Sequence, residues 1–391
     1  MLVREVKDVT ITIMETEVRQ LIQELHDSPG RVMVATAGAG TQALAWLLGV
    51  AGASRTLLEA LIPYEETSFN AFLGQAPKKY VSPNTARLMA GRAVTRAQQL
   101  CQGDVEVIGL ACTATIITDR PKRGEHRAHV ASWTRNGVTC YSLHLSKGAR
   151  DRYGEEEVVS RLMLNALAKA YGIDTRISLP LLDSDRYSYV EDDFVGAVDH
   201  LYQENAEVCI IRADGSLQKG INPKAMLSGA FNPLHSGHLR LAETAAEILD
   251  QEVIFELTAV NADKPSLEKT EILHRLLQFA GRYLVVVSNA PTFVAKARLF
   301  PGTTFVTGYD TAERILQPRF YADSQDQMLS ALAEIRERGC CFLVASRRDS
   351  QGIFHDASGL SVPEGYRDLF KIIPAGRFRH DISSTELRTD E

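Results

Sequence analysis

The residues best equipped for chemistry lie in one run, Ser228-Gly229-Ala230-Phe231-Asn232-Pro233-Leu234-His235-Ser236-Gly237-His238. An apolar strand, Ala225–Ser228, leads into it, and an amphipathic helix, Gly237–Leu249, leads out. Gly229 permits a tight turn directly off the strand, and Asn232-Pro233 fixes the loop. His235 and His238 flank Gly237 where the helix starts. Helix N-termini present unpaired N–H groups and the positive end of the dipole, so anions bind there. Two imidazoles at that point donate hydrogen bonds to phosphate oxygens, and Gly237 lets a phosphorylated molecule approach the backbone. The spacing of the histidines also suits half a metal site. No third ligand is evident and the loop fits phosphate better, so no metal ligand is assigned.

Three further segments carry suitable groups. Ile382-Ser383-Ser384-Thr385-Glu386-Leu387-Arg388 places hydroxyls and an arginine at another helix start, which suits phosphates but is also a good N-cap. Asn261-Ala262-Asp263-Lys264-Pro265 and Gly308-Tyr309-Asp310 fall at the ends of predicted strands. A solvated loop lysine is the plain alternative for Lys264, and a turn or cap residue for Asp310.

The run GAFNPLHSGHLRLA resembles the HxGH nucleotidylyltransferase superfamily, and within it the nicotinamide/nicotinate mononucleotide adenylyltransferases. The ISSTELR run is similar to a second mark of that family, and the likeness covers residues 225–391 with four motifs in order. It implies that His235 and His238 are catalytic. It implies that Gly229, Ala230, Phe231, Asn232, Gly237, Ser383, Ser384, Thr385 and Arg388 hold ATP and its phosphates, and that Lys264 and Asp310 contact substrate or nucleotide. The implied reaction moves an adenylyl group from ATP, with Mg²⁺, to a pyridine mononucleotide and releases pyrophosphate, in NAD synthesis or salvage. The attacking phosphate is already ionised at neutral pH, so no general base is needed. Catalysis is then positioning and charge stabilisation. HxGH also marks class I aminoacyl-tRNA synthetases, but their KMSKS-type lysine loop is missing.

Residues 31–172 resemble the CinA C-terminal domain, the nicotinamide-mononucleotide amidase family. Val50-Ala51-Gly52-Ala53-Ser54 looks like its PGAS segment, Tyr64 falls at its YSNEAK stretch, and Gly109-Leu110-Ala111 is similar to its GIAGP. The helix Glu155–Lys169 fits its final helix. Two departures stand out. Ala37 takes the place of the nucleophilic serine, and Phe69 that of the lysine expected as its base. Thr36 is a displaced alternative nucleophile, and Arg150 matches a phosphate-contact arginine. The reading is a degenerate amidase fold. Gly38–Gly40 retains backbone N–H groups suited to a phosphate, or is only a tight strand–helix turn. An amidase-like neighbour makes a pyridine nucleotide the simplest acceptor. Still open are another phosphorylated acceptor, a bifunctional amidase/adenylyltransferase and a non-catalytic nucleotide-binding regulator.

These groups need elements to hold them. The periodicity predicts helices over Thr16–Asp27, Gln42–Val50, Ser82–Gln99 and Glu155–Lys169. It predicts strands over Arg31–Thr36 and Val105–Cys112, and a hairpin of Ala128–Trp133 with Val138–Leu145 around Asn136-Gly137. A second hairpin joins Val208–Ile211 to Gln218–Ile221. Beyond it, strands at Ala225–Ser228, Val253–Leu257, Leu284–Ser288, Thr303–Thr307, Cys341–Ala345 and Leu369–Ile373 alternate with helices at Gly237–Leu249, Ser266–Ala280, Phe293–Leu299 and Gln325–Arg338. The expected class is α/β: two α/β domains, 1–172 and 222–391, joined by a connecting segment, 173–221. The second is a Rossmann-like, doubly wound parallel sheet. Phe293 and Tyr309 are candidates for the acceptor pocket.

The chain has 391 residues, 45% hydrophobic and 24% charged, with a formal net charge of −6. That excludes a wholly disordered chain, and without a strongly basic footprint nucleic acid is not the default partner. The expected partners are ATP and a small phosphorylated acceptor, with no membrane and with a homodimer as the expected assembly. The six cysteines show no CxxC and read as reduced, mostly buried thiols. The N-terminus lacks a signal-peptide core. The uncharged stretch Val32–Ser54 is interrupted by Gly38, Gly40, Gly49 and Gly52, and reads as strand, turn and helix rather than a membrane span. A cytoplasmic location is expected.

Overall fold

The structure is a computed structural model that describes residues 14–378, except 102, 104, 121–122, 204, 261–265, 349–353, 356 and 375. The chain divides into two compact units between Glu191 and Asp192.

The first unit opens with α1 (Thr16–Asp27), whose Val18, Leu21, Ile22 and Leu25 form one buried stripe. Next come β1 (Arg31–Ala37), α2 (Thr41–Gly49), α3 (Ala53–Thr56), β2 (Leu57–Leu61) and α4 (Glu66–Leu73). α5 (Pro83–Leu100) starts where serine and proline predict it: Ser82 Oγ accepts from the Thr85 amide at 3.2 Å, and Pro83 occupies the first turn. β3 (Val107–Thr115), β4 (His126–Thr134), β5 (Gly137–Leu145), α6 (Arg152–Ala170) and β6 (Arg186–Asp193) complete it. The sheet order is β2-β1-β3-β4-β5-β6. β1 runs parallel to β2 and β3, and β3, β4 and β5 are successively antiparallel. Val34, Leu110, Val130 and Leu143 pack with Leu47 of α2 and Leu162 of α6 in one core.

The second unit begins with α7 (Phe194–Tyr202) and a hairpin of β7 (Val208–Ile211) and β8 (Leu217–Gln218). Then strand and helix alternate: β9 (Ala225–Gly229), α8 (Ser236–Leu249), β10 (Val253–Thr258), α9 (Lys269–Leu276), β11 (Val285–Ser288), α10 (Phe293–Leu299), β12 (Thr304–Gly308), α11 (Tyr309–Ile315), α12 (Gln325–Glu337) and β13 (Cys341–Ala345). A two-residue pair, β14 (Arg347–Arg348) and β15 (Phe354–His355), precedes β16 (Phe370–Ile372). The main sheet has the order β16-β13-β12-β9-β10-β11-β7-β8. From β11 to β16 its neighbours are all parallel. Numbered by appearance, these six strands lie 3-2-1-4-5-6, the doubly wound order. β7 adds antiparallel to β11. Met226, Ile254, Val286, Phe305 and Phe342 line one face and pack on α10, α11 and α12.

The segment 173–221 is shared out rather than standing apart. β6 is an edge strand of the first sheet, and β7–β8 edge the second. β6 is almost wholly exposed along its length, so it shows none of the alternation that marks a half-buried strand. α4 and α7 are capped by Glu65 and Asp193, side-chain acceptors in polar stretches whose short helices carry little periodic signal. All six cysteines are free thiols. Among the described residues, no helix is long and apolar enough to cross a membrane.

Candidate functional site

In a doubly wound sheet, ligands bind beyond the carboxyl ends of the strands where the order reverses. Here that point lies between β9 and β12, which are directly paired. Gly229 is the last residue of β9 and Gly308 the last of β12. The histidine loop and the Gly308-Tyr309-Asp310 segment thus leave the sheet on adjacent strands at the crevice. Asp310 lies in the first turn of α11.

Within the loop, each group is positioned by the next. His235 is the N-cap of α8, and its Nδ1 accepts from the Gly237 amide at 3.1 Å. The His235 amide in turn donates to His238 Nδ1 at 3.3 Å, closing a reciprocal capping box built from two imidazoles. The rings stack with centroids 3.8 Å apart. Because both Nδ1 atoms accept, the hydrogen of a neutral ring sits on Nε2, and each Nε2–H is a donor at the helix N-terminus. Burial, together with the neighbouring His235, lowers the His238 pKa to about 3. His238 is therefore an uncharged donor throughout the physiological range.

Phe231 is the anchor beneath. It is 1% exposed, adopts a left-handed φ of 45°, and sets its ring edge-on to His238 at 5.1 Å. It also meets Phe255 and Phe279. This corrects the reason for Gly229: a Cβ there would stand 2.9 Å from the Phe231 ring. The glycine makes room for the ring that seats His238, and its φ is not in the left-handed region. Asn232 is half-buried and Ala230 is exposed on the loop.

Two residues that the sequence did not single out hold this loop. Arg275 Nη1 donates to Ala230 O at 2.8 Å. Gln278 donates to Phe231 O at 2.9 Å and accepts from the Leu234 amide at 2.6 Å. A signal was present, since Arg275 falls among Ile272, Leu273 and Leu276 on the buried side of α9. A buried charge demands partners, and Arg275 finds them in Glu271 and the loop carbonyl. Also unforeseen is the buried pair Glu256–Lys296, 0% and 4% exposed. Ser288 donates to Glu256, and Lys296 donates to Thr258, so the ends of β10 and β11 are tied together.

Ser228 Oγ and Thr307 Oγ1 each follow the registered pair Leu227–Val306 on β9 and β12. Both hydroxyls are buried and lack a hydrogen-bond partner among the described residues. Phe293 is partly buried and packs edge-on to Phe305 and Phe342 at the margin of the core. Tyr309 also packs against that core. Lys264, Ser383, Ser384, Thr385 and Arg388 lie outside the described residues. Among the described residues, no three His, Cys, Asp or Glu side chains gather as a metal site.

In the first unit the corresponding strand–helix loop is closed. Gly38 and Gly40 have φ of 89° and 96°, and a Cβ at Gly38 would stand 1.9 Å from Ala114 O. At the start of α2, the Gly40 and Gln42 amides and the Thr41 hydroxyl all donate to Glu156 Oε1, at 2.9, 3.0 and 3.1 Å. A carboxylate of the chain itself sits where a phosphate was conceivable. Thr36 is 0% exposed and its hydroxyl donates to Ala39 O, which removes it as a displaced nucleophile. Ala37 and Phe69 are buried at 9% and 4%. Arg150 is held by Asp185 at 2.7 Å and by Pro180 O at 2.6 Å, an internal tie rather than an open phosphate contact. Burial pushes Asp185 up, but the bonds from Arg150 and from the Leu182 and Ser146 amides outweigh it, leaving a pKa of about 2.

Residues 226–390 match the cytidylyltransferase-like family, so the second unit contains a nucleotidyltransferase domain of that type. No curated protein matches the sequence. Solved structures similar to the N-terminal part include a competence/damage-inducible protein from Agrobacterium tumefaciens, at 18% identity over 41% of this chain and 96% of that one, TM-score 0.29. A CinA-superfamily protein from Escherichia coli gives 16% identity over 41% and 91%, TM-score 0.30. A competence or damage-inducible protein from Enterobacter asburiae gives 14% over 40% and 96%, TM-score 0.31. The cytidylyltransferase-like match takes up most of the second unit, from β9 onward.

Proposed function

We propose that the second unit transfers an adenylyl group from ATP to a pyridine mononucleotide, nicotinamide or nicotinate mononucleotide, and releases pyrophosphate. The observation that carries the reading is the stacked His235–His238 pair at the start of α8, beside the point where the strand order reverses. Two Nε2–H donors at a helix N-terminus suit a phosphate on which negative charge builds during an in-line displacement. The uncharged state of His238 keeps that donor role constant with pH. The hydroxyls of Ser228 and Thr307, one residue before the ends of β9 and β12, are buried and lack a partner among the described residues.

The acceptor phosphate attacks the α-phosphorus, the bond to the β-phosphate oxygen breaks, and pyrophosphate leaves. His235 and His238 steady the α-phosphate, and Arg275 and Gln278 hold the loop that presents them. Asp310 and hydroxyls suit a Mg²⁺ that arrives on the triphosphate and keeps its waters. That ion would draw charge from the phosphate oxygens. Lys264, with Ser383, Ser384, Thr385 and Arg388, supplies the remaining phosphate contacts in this reading.

Pyrophosphate release is measured with ATP, Mg²⁺ and a panel of nicotinamide mononucleotide, nicotinate mononucleotide, phosphopantetheine and glycerol 3-phosphate, with ammonia read in parallel. Turnover with a pyridine mononucleotide and no ammonia is the expected result. Turnover only with another acceptor would replace the substrate but keep the chemistry. Nucleotide binding with no pyrophosphate from any acceptor would contradict the reading.

A further inference from the structure

A second cluster of charged and ring side chains in the first unit lies away from the closed strand–helix loop. A cavity of about 180 Å³ opens at the start of β4 and the end of β5. Its wall carries Arg123, His126, His144, Lys147 and Arg186, with Glu125 the only carboxylate among the described residues that line it. Glu125 bonds His144 at 3.1 Å and Arg186 at 3.3 Å. One carboxylate against three permanent cations leaves the lining net positive before either histidine is counted.

His126 gives this cavity a fixed donor or acceptor. It is 4% exposed, and its Nδ1 lies 2.7 Å from Glu155 Oε1. The other oxygen of Glu155 accepts from the Ile117 amide at 2.7 Å. The carboxylate is therefore held on both sides and sets the imidazole plane, as in carboxylate–histidine pairs that aim the second ring nitrogen. Nε2 of His126 meets no partner among the described residues, yet the ring lines the cavity. An imidazole that is 4% exposed, oriented by a carboxylate and part of a wall carrying three cations is a built feature, not a chance surface charge.

We propose that this cavity binds a phosphate dianion, free or as the head of a small phosphomonoester, through Arg123, Lys147, Arg186, His144 and the Nε2 of His126. The volume decides the size class: pockets for drug-sized ligands run from about 300 Å³ upward, so this one takes a phosphate and a few further atoms. Arginine and lysine around a tetrahedral dianion give the charge-assisted bonds that it favours over water. Arg186 and Glu125 are well exposed, so salt weakens the site.

The test uses the full chain with ¹³C,¹⁵N-labelled histidine, following the Cε1–H signals of His126 and His144. Inorganic phosphate and ribose 5-phosphate are titrated, with ribose as the uncharged control. Both signals shift saturably, with dissociation constants of about millimolar order given the exposed rim, and ribose moves neither. Equal affinity for the two anions names free phosphate as the ligand; tighter ribose 5-phosphate names the ester. Replacing the exposed cations (Arg123→Gln with Lys147→Gln) weakens binding roughly tenfold or more, the scale of one lost bond to a charged group. His126→Gln does the same, while the surface pair stands by itself if that buried change disturbs folding. Signals that stay still or drift without saturation, or a double variant that titrates like the parent, overturn the proposal. Neither result depends on turnover in the second unit.

Discussion

Two loops in this chain leave a parallel strand and enter a helix, and they meet the same physical problem in opposite ways. The exposed N–H groups of α2 are satisfied from within, by the Glu156 carboxylate. Those of α8 are met by imidazoles, whose Nδ1 atoms accept within the capping box, which leaves the hydrogen of a neutral ring on Nε2. A carboxylate in that position carries the charge a phosphate would bring and so excludes it. An imidazole carries none and adds donors. In the proposed reading, a closed and an open anion site differ in the side-chain type that meets the helix start.

The largest way to break the comparison is to remove the donors. His238→Ala or His235→Ala lowers pyrophosphate release roughly a hundredfold or more, the usual scale for one transition-state donor, while circular dichroism shows the fold retained. Near-normal turnover in a folded variant would remove the histidines from the site. Next is the seat beneath them. Gly229→Ala pushes a methyl group into the Phe231 ring, costs about 1–3 kcal/mol as overpacking does, and reduces turnover because His238 loses its support. Turnover unchanged in that variant would show that ring position is irrelevant.

A third change acts on the closed loop. Glu156→Ala leaves two α2 amides without their acceptor and costs about 1–3 kcal/mol, measured by urea unfolding of the full chain, with pyrophosphate release unchanged. A matching loss of turnover would mean that the first loop serves the reaction.

The last effect is a pH dependence. The unfolded-state imidazole titrates near 6.5, and His238 in the fold near 3. Between these values the unfolded chain binds the extra proton, so stability from this residue is complete above about pH 6.5 and is lost as pH falls toward about 3. His238→Gln flattens that part of the stability profile. An unchanged profile would deny the depressed titration.

The histidine loop was legible because its signals are local: an apolar strand, glycine and proline in a turn, and two histidines at a helix start. The alternation of strands and helices in the second unit was equally plain, and Cys341–Ala345 and Phe293–Leu299 appear at the expected bounds. Legibility ended where a role depends on residues far apart in sequence. Gln278 reaches the loop across 47 positions, and Glu156 reaches Gly40 across 116. No spacing rule could pair them. The same holds for Glu155 and Glu156, neighbours on α6 that do different work: one props His126 toward a cavity, the other fills the α2 N-terminus.

The most direct test is amide hydrogen exchange of the full chain with and without ATP and Mg²⁺. The account predicts slowed exchange in peptides covering residues 229–240 and no change over 36–44, whose amides already have their carboxylate. Protection at 36–44, or none at 229–240, would contradict it.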